Sequence, residues 1–210
     1  MSYLENLSKI HLDILKEIGN IGAGHAATAL SVLLNKKIDM NVPDVRIISF
    51  NEMMELAGGA ENVVACVFFR IEGEVPGSMY FILSLEQSER FIREITGDIS
   101  FSIETASEME LSALQELGNI MAGSYFSSLS DFTQLNLLST VPSLSIEMAG
   151  AVLSAGLLEQ SKVSDYAIVI DTKLIEGERE LNSINGHFFL LPDPDSFETI
   201  FAALGIDSNE

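Results

Sequence analysis

The sequence is short of positive charge, of cysteine and of long apolar runs, and each shortage removes a class of function. Eleven Lys and Arg stand against 31 Asp and Glu in 210 residues, a formal charge of −20 at pH 7. Nucleic-acid binding needs clustered Lys and Arg to displace phosphate counterions, so such a partner is excluded. An anionic membrane surface is disfavoured for the same reason. The lone Cys66 cannot form an internal disulfide, and within the apolar run Val63–Phe69 it reads as a small buried hydrophobe. No CxxC or Cys/His metal spacing occurs, and His25 and His187 have no partner at ligand spacing, so no metal site is expected. No apolar stretch approaches the roughly 18 to 20 residues of a membrane span. Residues 1–20 carry Glu5, Asp13 and Glu17 and no basic stretch leading into an apolar one. No signal peptide is expected, and the expected location is cytoplasmic.

What is present is a core-forming composition, 47% hydrophobic and 20% charged, and a duplication. Ser8–Ser31 reads SKIHLDILKEIGNIGAGHAATALS, and 99 residues later Ser107–Ser130 reads SEMELSALQELGNIMAGSYFSSLS. Eleven of the 24 positions are identical, and the same shift carries Val42-Pro43 onto Val141-Pro142 without a gap. Residues 1–99 and 100–210 are therefore read as two homologous halves of one domain spanning 1–210.

Each half repeats one order of elements. A long helical pattern comes first, at 6–34 and 106–133. Extended segments follow at Ile38–Phe50, Val63–Glu72 and Val75–Leu85, and again at Leu135–Gly150, Tyr166–Leu174 and Gly186–Pro192. A short amphipathic helix closes each half, Gln87–Thr96 and Ser196–Leu204, with Gly97 or Gly205 as its stop. Gly73-Glu74 between two strand-like runs favours an antiparallel hairpin. The fold class that follows is α+β with pseudo-twofold symmetry, long helices packed on a largely antiparallel sheet.

The repeated helix carries the functional signal. Asp13, Glu17 and Asn20 stand at i, i+4 and i+7, which places them at about 0°, +40° and −20° on one stripe. Leu15, Ile18, Gly22, Ala26, Ala29 and Leu33 fall on the opposite side and form the expected packing face. The second helix repeats the stripe with Ser112, Glu116 and Asn119, opposite Leu114, Leu117 and Met121. Gly24 and Gly123 extend the two stripes and leave room beside each Asn. Glu-x-Gly-Asn is an odd choice for a purely structural surface, because Gly costs about 1 kcal/mol against Ala inside a helix. The run Gly19-Asn20-Ile21-Gly22-Ala23-Gly24 is not a phosphate-binding loop: it lies within a helical pattern, and no Lys-Ser/Thr follows.

An amide does not titrate near pH 7, so Asn is no general base. It can accept a hydrogen bond from a water while donating another to a phosphoryl oxygen, which fixes that water in line. A carboxylate beside it suits a partner's Lys or Arg. Such a pair adds a water-orienting group to a partner that already holds a phosphoryl group and a metal.

The full pattern, Asp/Ser-x3-Glu-x2-Asn-x22-Pro, appears as Asp13, Glu17, Asn20 and Pro43 and again as Ser112, Glu116, Asn119 and Pro142. It resembles the signature of the CheC/CheX/FliY phosphatases of bacterial and archaeal chemotaxis, with the CheC type nearest in length and in carrying two sites. The resemblance implies hydrolysis of the aspartyl phosphate of the response regulator CheY. Asn20 and Asn119 would orient the attacking water, and Glu17 and Glu116 would engage a regulator lysine. Asp13, Ser112, Pro43 and Pro142 would support them. No cofactor is implied on this chain, and Mg²⁺ is expected on the regulator. The receptor deamidase CheD is implied as a second partner. The rival reading is a non-catalytic adaptor for phosphorylated CheY or CheD. Ala27 and Phe126, near the stripe at about −40°, suggest unequal access to the two sites.

Overall fold

The computed structural model describes residues 8–160, 166–176, 183–193 and 196–205. The first half runs α1 (Lys9–Leu34), β1 (Ile38–Asn41), β2 (Val45–Ser49), α2 (Phe50–Leu56), β3 (Val63–Gly73), β4 (Gly77–Ser84) and α3 (Leu85–Thr96). After a single 3-10 turn at Ile103–Thr105, the second half repeats the order. It comprises α4 (Glu108–Thr133), β5 (Leu137–Ser139), β6 (Ser143–Met148), α5 (Ala149–Gln160), β7 (Tyr166–Glu176), β8 (Ser183–Pro192) and α6 (Ser196–Ala203).

One eight-stranded sheet holds both halves, and every pairing in it is antiparallel. The two hairpins β3–β4 and β7–β8 meet at the centre, where β4 pairs β8 from Gly77↔Pro192 to Ile82↔His187. The short strands cross over: β1 and β2 pair with β7 of the second half, and β5 and β6 with β3 of the first. Each half thus completes the sheet of the other.

Strand side chains alternate between two faces. Val67, Phe69, Ile71, Phe81, Ile168, Ile170 and Phe188 point to a large core roofed by α1, α4, α3 and α6. Val64, Cys66, Tyr80, Ile82, Val169 and Phe189 point to a smaller core closed by Met53 of α2, by Ala57 just after it, and by Ala149 and Leu153 of α5. The helices α2 and α5 correct the sequence reading, which carried the strands through Phe50 and Gly150. The sheet is covered on both faces.

The long helices α1 and α4 pack against each other, and a Cβ on Gly22 would stand 3.0 Å from the Ser124 carbonyl oxygen and from Tyr125 Cα. The buried arc of α1 is rotated from the expected packing face. Leu15, Ile18, Gly22 and Ala26 are buried as expected, whereas Ala29 and Leu33 are exposed and Gly19, Ala23, Ala27 and Leu30 take their place. Opposite the second stripe, Leu114, Leu117 and Met121 are buried as expected. No helix of the described residues is long and apolar enough to cross a membrane.

Candidate active site

Both long helices begin firmly. The Ser8 N–H donates to His11 Nδ1 at 3.0 Å, and the Ser107 N–H donates to Glu110 Oε2 at 2.8 Å. These bonds satisfy backbone donors that a helix start leaves orphaned. Two residues on from each cap partner, the motif positions begin on α1 and α4. Asp13 and Glu17 are exposed, as are Ser112 and Glu116. Asn20 and Asn119 are half-buried. Asn20 is therefore less open than the stripe geometry alone suggests.

In the first copy the structure brings Asn20 onto the loop between β1 and β2. The Val42 N–H donates to Asn20 Oδ1 at 2.9 Å. Asn20 Nδ2 donates back to the Val42 carbonyl at 3.3 Å and to the Lys16 carbonyl at 3.0 Å. A backbone N–H can only donate, so the amide orientation is fixed, and both of its hydrogens are engaged. Val42 itself is 3% exposed, with its methyl carbons beside Gly19. Pro43 follows immediately and is exposed.

The second copy is built differently. Asn119 makes one hydrogen bond among the described residues, Nδ2 to Glu116 Oε2 at 3.4 Å. Its carbonyl oxygen and its second amide hydrogen are unengaged. The loop here is held by Gln115, whose Nε2 donates to the Pro142 carbonyl at 2.8 Å. Val141, the counterpart of Val42, is 85% exposed. The three atoms nearest the position a Gly118 Cβ would take, at 2.9 to 3.0 Å, all belong to Val67 of β3. Gly19 has Tyr125 at 3.1 Å and Val42 at 3.3 Å in the corresponding place. These two glycines are thus explained by internal packing, not by the approach of a partner.

Gly24 and Gly123 are a different case, since a Cβ on either would meet nothing within 4 Å. Each borders a shallow groove between its long helix and the first strand of the same half. The first, of about 620 Å³, includes Gly24, Thr28, Ser31 and Asp39. The second, of about 310 Å³, includes Gly123, Ser127, Ser130 and Asp131. Ala27 and Phe126 line their respective grooves while remaining buried. Phe126 packs edge-on to Phe69 at 6.4 Å, so it belongs to the core and does not stand over Asn119.

Away from the stripes, His25 is exposed and His187 is paired. His187 Nδ1 lies 2.7 Å from Asp171 Oδ1, and Arg46 Nη1 lies 2.6 Å from Asp171 Oδ2. Burial raises the Asp171 carboxyl, but the hydrogen bonds and charges of His187 and Arg46 outweigh it and hold the group below its usual value. Cys66 is buried, and burial pushes its thiol up to about 12. No cluster of three or more His, Cys, Asp or Glu among the described residues is arranged to hold a metal ion. Sequence reasoning did not find Val42, Gln115 or the Asp171 cluster. The first was in view, because Val42 is the residue directly before the motif proline Pro43.

The model of the CheC-like family matches residues 10–47 and 109–146, the two helix-to-loop segments just described. The CheY-P phosphatase CheC of Bacillus subtilis is 49% identical over 207 residues, 98% of this chain and 99% of that protein. This chain belongs to the CheC-like family. The flagellar motor switch phosphatase FliY of B. subtilis is 38% identical to this family member over 130 residues, 60% of this chain and 33% of FliY. The crystal structure of Thermotoga maritima FliY superposes with a TM-score of 0.71 over 95% of this chain and 98% of that one, at 22% identity. It shares the fold of this CheC-like chain.

Proposed function

We propose that this chain hydrolyses the phosphoryl group of phosphorylated CheY. The observation that carries the reading is the second copy of the motif. There Glu116 and Asn119 stand one turn apart on a seated helix, exposed or half-exposed, with most of the Asn119 amide unengaged. Two relatives named as phosphatases, CheC and FliY of B. subtilis, support it.

The chemistry follows from the residue types. CheY carries the phosphoryl group on an aspartate, together with the Mg²⁺ that belongs to its own site. Glu116 pairs with a lysine of the regulator and sets the register of docking. Asn119 accepts from the attacking water and donates to a phosphoryl oxygen, which holds the water in line with the breaking bond. The bond between phosphorus and the aspartyl oxygen breaks as water oxygen bonds to phosphorus. The products are a free carboxylate and inorganic phosphate, which takes both protons of the water as H2PO4⁻ and then equilibrates with solvent. Ser112 and Pro142 support the pair from the helix and the loop. Asp13, Glu17, Asn20 and Pro43 provide the same residue types in the first copy. CheD belongs to the reading as a second partner.

The test is the lifetime of phosphorylated CheY with wild type, Glu116→Ala and the double variant Asn20→Ala, Asn119→Ala. Wild type should shorten it, and the double variant should not. Glu116→Ala should weaken binding, with a dependence on ionic strength. If wild type binds phosphorylated CheY without shortening its lifetime, with or without CheD, the adaptor reading replaces the enzyme.

A further inference from the structure

The two copies of the motif share their residue types but not the way their proline loops are fastened. In the first, Asn20 does the fastening through the backbone of Val42, and no side chain of residue 16 takes part: Lys16 contributes only its carbonyl. In the second, Gln115 stands at the position of Lys16 and fastens the loop through the Pro142 carbonyl. Asn119 is left with a single long bond, to its own neighbour on the helix. The side chains agree with this division, Val42 seated and Val141 in solvent.

We infer that Gln115 is a positioning residue that keeps Asn119 available to water, and that Val42 holds Asn20 out of use. This deepens the phosphatase reading and rests on it. An Asn that orients water must donate to the phosphoryl oxygen while accepting from the water. Asn20 has no amide hydrogen left for that donation while it is bonded to Val42 and Lys16. Asn119 has one. The second copy is therefore the working site of the isolated chain, and the first copy works only when its loop lets go.

The assignment predicts a gain as well as a loss. Asn119→Ala should cost roughly 100-fold in the rate at which the chain accelerates CheY dephosphorylation, the scale of a misplaced reacting group. Asn20→Ala should cost only a small share of that rate, and should speed hydrogen exchange at the Val42 amide. In the Asn119→Ala background, Lys16→Gln supplies the missing donor to the first loop and should raise the residual rate about tenfold or more, half the logarithmic distance back. Adding Asn20→Ala should abolish that gain. Gln115→Glu, which keeps the shape but cannot donate when ionised, should lower the rate without changing the helical circular dichroism.

Thermal melts of each variant separate unfolding from mispositioning. Equal losses from Asn20→Ala and Asn119→Ala, with folded proteins, would overturn the division of labour and leave the phosphatase standing. So would a Lys16→Gln change that recovers nothing in a folded Asn119→Ala chain. Failure of wild type to accelerate dephosphorylation would instead remove the phosphatase reading, and this inference with it.

Discussion

Gly22 of α1 lies against Tyr125 of α4 at backbone distance, with 3.0 Å between a hypothetical Gly22 Cβ and Tyr125 Cα. Two helices that roof one core can approach so closely only where a side chain is missing. Two residues along, Gly24 faces open space. Gly22→Ala should therefore destabilise the chain by about 1 to 3 kcal/mol, the usual cost of overpacking. Gly24→Ala should stabilise it by about 0.5 to 1 kcal/mol through helix propensity. Denaturant melts of the two variants check this, and the sign of the difference is the result that matters.

Asp171 ties β2 to β8 through Arg46 and His187. Its carboxyl titrates below its usual value in the folded chain, so the charged form is favoured by folding. The stability this contributes is present above the unfolded value of 3.8 and is lost as pH falls through the lower folded one. Wild type should lose stability on acidification through that window, and Asp171→Asn should be less stable near neutrality and flatter with pH. Melting temperatures across pH 2.5 to 7 test it, on the order of the carboxylate range.

Cys66 points into the smaller core between the sheet and the helices α2 and α5. A thiol pushed up to about 12 has almost no thiolate at pH 8, and burial denies access as well. Iodoacetamide should leave the native chain unmodified and alkylate it fully in denaturant. Mass spectrometry reads both states.

The duplication, the two long helices, the hairpin turn and the closing helices were legible because each has a local signal, from the repeated Glu-x-Gly-Asn to the positive φ of 73° at Gly97 and Gly205. The helix α2 had one that went unread: Ser49 and Glu52 form a capping box, with the Glu52 carboxylate accepting from the Ser49 N–H at 2.8 Å. The helix α5 opens Ala-Gly-Ala and has no comparable start. Strand exchange leaves no trace in hydrophobic periodicity, since a strand alternates in the same way whichever neighbour it pairs with. The Asn20 contact was hidden for a related reason. Stripe geometry places Asn20 20° from Asp13, but it cannot say that Val42 lies against that flank.

Because β1 and β2 lie on β7, and β5 and β6 on β3, the chain has the architecture of a strand-swapped homodimer whose two subunits have been joined by residues 97–107. A single repeat on its own would leave its hairpin without flanking strands and its two short strands without a place to pair. Two separate repeats would have to associate as a dimer, with two identical motifs, to build the same sheet. Joining the copies turned an association into an intramolecular event with a high effective concentration, independent of how much protein the cell makes. It also freed the two motifs from having to be the same, and Lys16 in the first copy against Gln115 in the second is one of the positions at which they differ.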